Sequence, residues 1–147
     1  MVPFNEENLA VYLLDDDSSV LKSTGRLLDS AGWRVEVFTD PIAFLKQAAA
    51  HYPDVAVIDI IMPEMSGLEI QTRLRHVSPS TRVIVLTAKD DPSVRRVAMN
   101  RGASAFFIKG VESSELLAGV KAAVDHSTSP YTKAGMSANV LQPKPYD

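Results

Sequence analysis

The chain contains no cysteine. Disulfides, thiolate zinc sites and iron–sulfur clusters are therefore excluded. Histidine is scarce too: His51, His76 and His126 lie far apart, in no metal-ligand spacing. No apolar run approaches the ~20 residues that span a bilayer. The opening MVPFNEENLA lacks the basic-then-apolar order of a secretory signal. We therefore expect a cytoplasmic protein without membrane contact. An excess of positive charge is also missing. The formal net charge is −3, which argues against sequence-independent contact with nucleic acid by this segment. Internal repeats and low-complexity tracts are absent.

What is present is 147 residues, 46% of them hydrophobic, the size and composition of one globular domain. Short apolar runs alternate with helical patterns. LAVYLL (9–14) reads as a strand, followed by a helix whose stripe is Val20, Leu21, Thr24, Leu27, Leu28 and Ala31. RVEVF (34–38) alternates like a half-exposed edge strand. The next helix opens on Asp40 as N-cap with Pro41 at its first position, and Ile42, Leu45, Ala48 and Ala49 form its stripe. DVAVIDI (54–60) is apolar on both faces up to Asp59, as a central parallel strand is. SGLEIQTRLRHV is a helix ended by Ser78-Pro79. RVIVLTA (82–88), a helix opening on Asp-Pro, SAFFIKG (104–110) and a last helix through His126 complete five βα units.

That alternation predicts an α/β fold with a five-stranded parallel sheet and helices on both faces. Covering both faces with right-handed crossovers requires the chain to reverse direction across the sheet. The common solution is the doubly wound order 2-1-3-4-5, with the ligand crevice between the carboxyl ends of strands 1 and 3. We divide the chain into an N-terminal extension (1–8), one domain (9–126) and a linker or tail (127–147). The tail has no period, and Val140, Leu141 and Tyr146 are its candidates for docking.

On that topology the strand ends carry complementary chemistry. Strand 1 runs into Asp15-Asp16-Asp17, strand 3 into Asp59, strand 4 into Thr87-Ala88 and strand 5 into Lys109. Each piece alone has a plainer explanation: a solvated turn for the acids, a strand-end hydroxyl, a solvated lysine, core aromatics at Phe106 and Phe107. Together they make one rim of acids, a hydroxyl and an ammonium. Clustered carboxylates resist ionising unless a cation relieves them. Magnesium suits a few carboxylates, waters and a phosphate oxygen, and the lysine adds a point charge for phosphate. The set fits phosphoryl transfer.

The segments LLDDD, VIDIIMPEMSG, VIVLTA and SAFFIKG, in that order, resemble the receiver domain of two-component response regulators over residues 9 to 126. The resemblance implies a flavodoxin-like fold and a phosphorylation-driven switch rather than an enzyme. It implies that Asp59 accepts a phosphoryl group from a sensor histidine kinase or a phosphotransfer domain. Asp15 and Asp16 would organise Mg2+ with Asp59 and the backbone carbonyl of Ile61. Lys109 would bind the phosphoryl oxygens. Thr87 would move to hydrogen-bond them, Phe106 would swing inward, and Ala88 and Lys89 would border the group. The face built from the fourth helix, fifth strand and fifth helix would be remodelled. Homodimerisation through that face is a further implication, with Arg95, Arg96 and Met99 near it, as is a DNA-binding output domain beyond residue 147.

The sequence departs from the family pattern at two positions. Lys109 is followed by Gly110 where the family carries proline after a cis peptide. A cis bond before a non-proline residue costs about 2.5–4 kcal/mol, so we expect a trans 109–110 peptide and an altered loop. Ile61 offers no polar group to orient an attacking water, which points to slow self-dephosphorylation, partly offset by Lys89. The enzyme alternative is a phosphohydrolase of the haloacid-dehalogenase type with Asp15 as nucleophile. That reading lacks its expected Gly-Thr after the second acid and leaves VIDIIMPEMSG unexplained. A third reading is a receiver-like module used only for protein contact; the complete acid set speaks against it.

Overall fold

The computed structural model describes residues 9–127. Ten elements alternate along the chain: β1 (Ala10–Leu14), α1 (Ser18–Ser30), β2 (Arg34–Phe38), α2 (Pro41–His51), β3 (Val55–Ile58), α3 (Gly67–Val77), β4 (Arg82–Thr87), α4 (Pro92–Asn100), β5 (Ala105–Ile108) and α5 (Ser113–Ser127). The sheet is parallel in the order β2-β1-β3-β4-β5, as the alternation predicts. α5 runs one residue past the domain boundary expected from the sequence. The tail residues Val140, Leu141 and Tyr146 lie outside the described residues.

Helix starts follow local chemistry. The Asp17 carboxylate accepts from the backbone N–H groups of Ser19 and Val20, and the Asp91 carboxylate from those of Ser93 and Val94. Asp40 accepts from Ile42 N–H, with Pro41 as the first helical residue. Each acid supplies an acceptor for N–H groups that the helix cannot pair internally.

Reversal of winding at β1 divides the core into two layers. Tyr12 and Leu14 of β1 pack with Phe44, Leu45, Ile70, Leu74 and Ala98 of α2, α3 and α4. Val11 and Leu13, pointing the other way by strand alternation, pack with Leu21 and Leu28 of α1 and Leu116 and Val120 of α5. Central strands β1 and β3 are buried throughout, and β2 is a half-exposed edge.

Two helical stripes differ from the sequence reading. In α2 Ile42 is 54% exposed and the fully buried aromatic is Phe44. That helix is apolar nearly all round, so its periodicity does not fix which side faces the sheet. Ala31, the C-cap of α1, is exposed, and only Leu21, Thr24 and Leu28 of the expected stripe are buried.

Candidate functional site

Register places the acids together. Leu14 of β1 pairs with Ile58 of β3, so the next residue of each strand, Asp15 and Asp59, emerges side by side. The Asp59 N–H donates to the Leu14 carbonyl at 3.0 Å. Val85 of β4 pairs with Ile58, and Thr87 stands two residues further on at the same sheet end. The Lys109 N–H donates to the Thr87 carbonyl at 2.7 Å, fixing the root of the lysine against β4.

The side chains converge. Lys109 Nζ lies 2.9 Å from Asp15 Oδ2 and 3.3 Å from Asp59 Oδ2. Carboxylate oxygens of Asp15, Asp16 and Asp59 all lie within 4.8 Å of one another. Asp15 and Asp59 are buried, whereas Asp16 is exposed. Two backbone amides hold the buried acids in place: Asp17 N–H donates to Asp15 Oδ1, and Ile61 N–H to Asp59 Oδ1. Each makes a local turn just after its strand, which answers why an acid closes an apolar run there.

Burial pushes the Asp15 carboxyl above its ordinary range, and the neighbouring Asp59 charge adds to this. The hydrogen bonds from Asp17 N–H and Lys109 oppose the rise without cancelling it. Burial also pushes the Lys109 ammonium down. The hydrogen bonds and charges of Asp15 and Asp59 together outweigh that effect and hold it above the ordinary lysine range. The site is thus a set of acids with one resident cation, still short of positive charge.

Three carboxylates from two strand ends, within reach of one point and open to solvent at Asp16, fit a hard divalent cation such as Mg2+ that keeps some of its waters. Thr87 provides a second sign of an unfinished site. It is 1% exposed, and its hydroxyl has no hydrogen-bond partner among the described residues. A buried hydroxyl rarely goes unpaired without a reason.

The other residues singled out from the sequence lie around this cluster. Ile61 is 52% exposed, and Ala88 and Lys89 are exposed at the end of β4. Phe106 is 7% exposed, with the Arg95 guanidinium 4.8 Å from the ring centroid. The Lys109–Gly110 peptide is trans, as expected. Gly110 takes φ +99°, in the region where a side chain is disfavoured and proline is excluded.

Sequence reasoning missed one positional requirement. A Cβ on Gly67 would lie 2.5 Å from the Asp59 carbonyl oxygen and 2.6 Å from Ile60 Cα. The first turn of α3 therefore packs directly on the backbone that carries Asp59. Its only sequence signal was the Ser-Gly that follows Met-Pro.

Comparison with known proteins agrees with this geometry. Residues 11–121 match the response regulator receiver domain family. The chain is 31% identical over 120 residues to response regulator protein TmoT of Ectopseudomonas mendocina, covering 82% of this chain and 54% of that protein. It is 34% identical over 114 residues to response regulator MprA of Mycobacterium leprae, covering 78% and 50%. It thus spans about half the length of these relatives. Among solved structures, the CheY-like receiver domain protein of Methanospirillum hungatei superposes with TM-score 0.78 at 26% identity, covering 82% of this chain and 97% of that one. The beryllofluoride-activated DrrB receiver domain superposes with TM-score 0.73 at 29% identity, covering 80% and 98%. The haloacid-dehalogenase alternative finds no support in these matches. A doubly wound sheet whose strand ends gather three aspartates, two of them bridged by one lysine, matched over most of its length, identifies the chain as a member of the response regulator receiver domain family.

Proposed function

We propose that Asp59 is the phosphoacceptor of this receiver and that its phosphorylation switches the α4-β5-α5 face. The observation that carries the reading is the meeting of Asp15, Asp16 and Asp59 within 4.8 Å, with Lys109 bonded to two of them. In the transfer, an Asp59 oxygen attacks the phosphorus of a phosphohistidine. The P–O bond forms as the P–N bond breaks, and the imidazole leaves. Asp15, Asp16, Asp59 and the Ile61 carbonyl would hold Mg2+, which supplies charge neutralisation of the phosphoryl oxygens. Lys109 exchanges part of its contact with Asp59 for a phosphoryl oxygen, remaining a cation throughout.

Thr87 completes the switch. Its unpaired hydroxyl is available to donate to a phosphoryl oxygen, a charge-assisted bond stronger than a neutral one. Movement of Thr87 then repacks its neighbours on β5, with Phe106 and the Arg95 lying over it as the readout toward α4. The chemistry is phosphoryl acceptance and slow self-dephosphorylation, not turnover of a substrate. The donor would be a cytoplasmic sensor histidine kinase or a phosphotransfer domain. TmoT and MprA are about twice as long as the matched region, so the reading extends to an output domain, DNA-binding in kind, and to a homodimer through the switched face.

Labelling with acetyl phosphate and Mg2+, read by intact mass, tests the assignment. We expect one phosphoryl group on the wild type, none on Asp59→Asn, and label retained, though slowed, on Asp15→Asn. Label lost on Asp15→Asn and kept on Asp59→Asn would favour the phosphohydrolase chemistry and overturn the proposal.

A further inference from the structure

Helix α4 is held differently at its two ends. Near its carboxyl end Ala98 is fully buried, and its carbonyl accepts from the Ala103 N–H at 3.1 Å and from Gln71 Nε2 of α3 at 2.9 Å. Two surface arginines add further ties to α3. Arg75 Nη1 donates to the Arg101 carbonyl at 3.0 Å. Arg101 Nη1 donates to the Leu68 carbonyl at 3.0 Å and to the Thr72 hydroxyl at 3.2 Å. The chain leaving α4 is then anchored on β4, where Ser104 N–H donates to the Val83 carbonyl at 2.7 Å.

The bonds at the amino end turn back on that end. The Asp91 carboxylate accepts from Ser93 and Val94, and Arg95 Nη2 lies 3.2 Å from Asp90 Oδ1. An ion pair this exposed contributes little. Contact with other elements is by packing: Val94, partly buried, lies against the core, and the Arg95 guanidinium lies over the Phe106 ring.

Helix α3 is itself fixed to the site. Its first residue, Gly67, donates to the Ile60 carbonyl at 2.9 Å and leaves no room for a Cβ against the Asp59 backbone. Gln71 follows about one turn later, buried on the same helix. One short helix therefore starts on the Asp59 backbone and grips α4 a turn further on. The Gln71 amide carries a cost there: its Oε1 is closed to solvent and has no partner among the described residues. An apolar side chain of similar length avoids that cost. What the amide adds is the bond to α4.

We propose that α4 moves as a lever on a fixed pivot. Its carboxyl end stays on α3, held by Gln71 through the Ala98 carbonyl, and its amino end swings. The amino end follows Thr87 by the short segment 88–91, so the displacement is largest beside the site and fades toward Ala98. Gln71 is the positioning residue of this pivot and acts through Ala98, not on the reacting atoms. The trigger of the motion rests on Asp59 being the phosphoacceptor; the pivot itself does not.

Because the chain has no cysteine, pairs of spin labels can be placed without background. One pair joins Ser93→Cys in the first turn of α4 to Lys46→Cys on α2; the other joins Asn100→Cys at the last residue of α4 to the same reference. All three positions are exposed. Distances are measured by pulsed electron resonance, in the free protein and with beryllofluoride and Mg2+. In the free protein the Ser93 pair should show the broader distribution. With the phosphoryl mimic its mean should shift by about 1–2 Å, the size of helix shifts in such transitions, while the Asn100 pair stays in place. Gln71→Met removes the bond and the unpaired acceptor together, so thermal stability should hold. In that variant the Asn100 distribution should broaden and its mean should shift with the mimic. Arg101→Gln, an exposed change, should act in the same direction more weakly and serves if Gln71→Met does not fold. Equal widths or equal shifts at the two ends of wild-type α4 would overturn the pivot. So would an Asn100 end indifferent to both variants, or a still Ser93 end in protein that takes acetyl phosphate label on Asp59. If Asp59 takes no label, the trigger fails, and the two widths in the free protein still decide the pivot.

Discussion

The Thr87 hydroxyl is buried without a partner among the described residues, a condition that costs stability unless it serves a ligand. Thr87→Val keeps the shape and removes the hydroxyl. We expect thermal unfolding to show unchanged stability or a gain of about 1 kcal/mol, while the phosphorylation-induced change at α4 is lost. A clear destabilisation would mean that the hydroxyl has a structural partner instead. Ile61 makes a second case. It stands 52% exposed beside the site and has no group to orient water. Phospho-Asp59 should decay faster in Ile61→Asn than in the wild type, read as the loss of label with time; slower decay in the variant would refute this. Asp15, Asp59, Thr87 and Lys109 were legible in the sequence because each follows directly from where a strand stops. The bridging of two aspartates by Lys109 and the orphaned hydroxyl were not, since both depend on rotamers fixed by packing.

Among the elements, the junction of β3 and α3 fixes the backbone that carries Asp59, the proposed phosphoacceptor. Gly67 N–H donates to the Ile60 carbonyl at 2.9 Å, and no Cβ fits between α3 and the Asp59 backbone. The obstructing atoms are main-chain, so they cannot rotate aside. Gly67→Ala should cost about 1–3 kcal/mol in chemical unfolding and should slow labelling of Asp59 through displacement of its loop. A neutral result would show that the loop yields freely. The turn after β5 is built differently from the family pattern, with a trans peptide and a left-handed glycine at 110. That departure was legible, because a cis peptide is strongly disfavoured unless the residue after Lys109 is proline. The facing of α2 was not: Ile42 and Phe44 sit on a helix with apolar residues on several sides, and only contact with β1 and β2 selects Phe44.

At the scale of the whole molecule, strand order was readable because five βα units with short connections leave few ways to cover both faces of a sheet. That order is what makes a site: residues 44 positions apart, Asp15 and Asp59, become neighbours only if β1 and β3 pair in this register. It also links the site to a distant face, since β4 and β5 carry Thr87 and Phe106 on adjoining strands. Carrying such a switch from almost wholly inactive to almost wholly active takes about 5.5 kcal/mol of differential interaction. New bonds from Thr87 and Lys109 to a phosphoryl group are of the right order to supply much of it. Beryllofluoride, a phosphoryl mimic, titrated with Mg2+ and followed by backbone amide resonances, tests this most directly. We expect saturation at one equivalent, with shifts at Asp59, Thr87, Ala88, Lys109 and Gly110 that continue into α4. Shifts confined to the Asp15–Asp17 turn, or none at all, would contradict a single phosphoryl-accepting pocket coupled to α4.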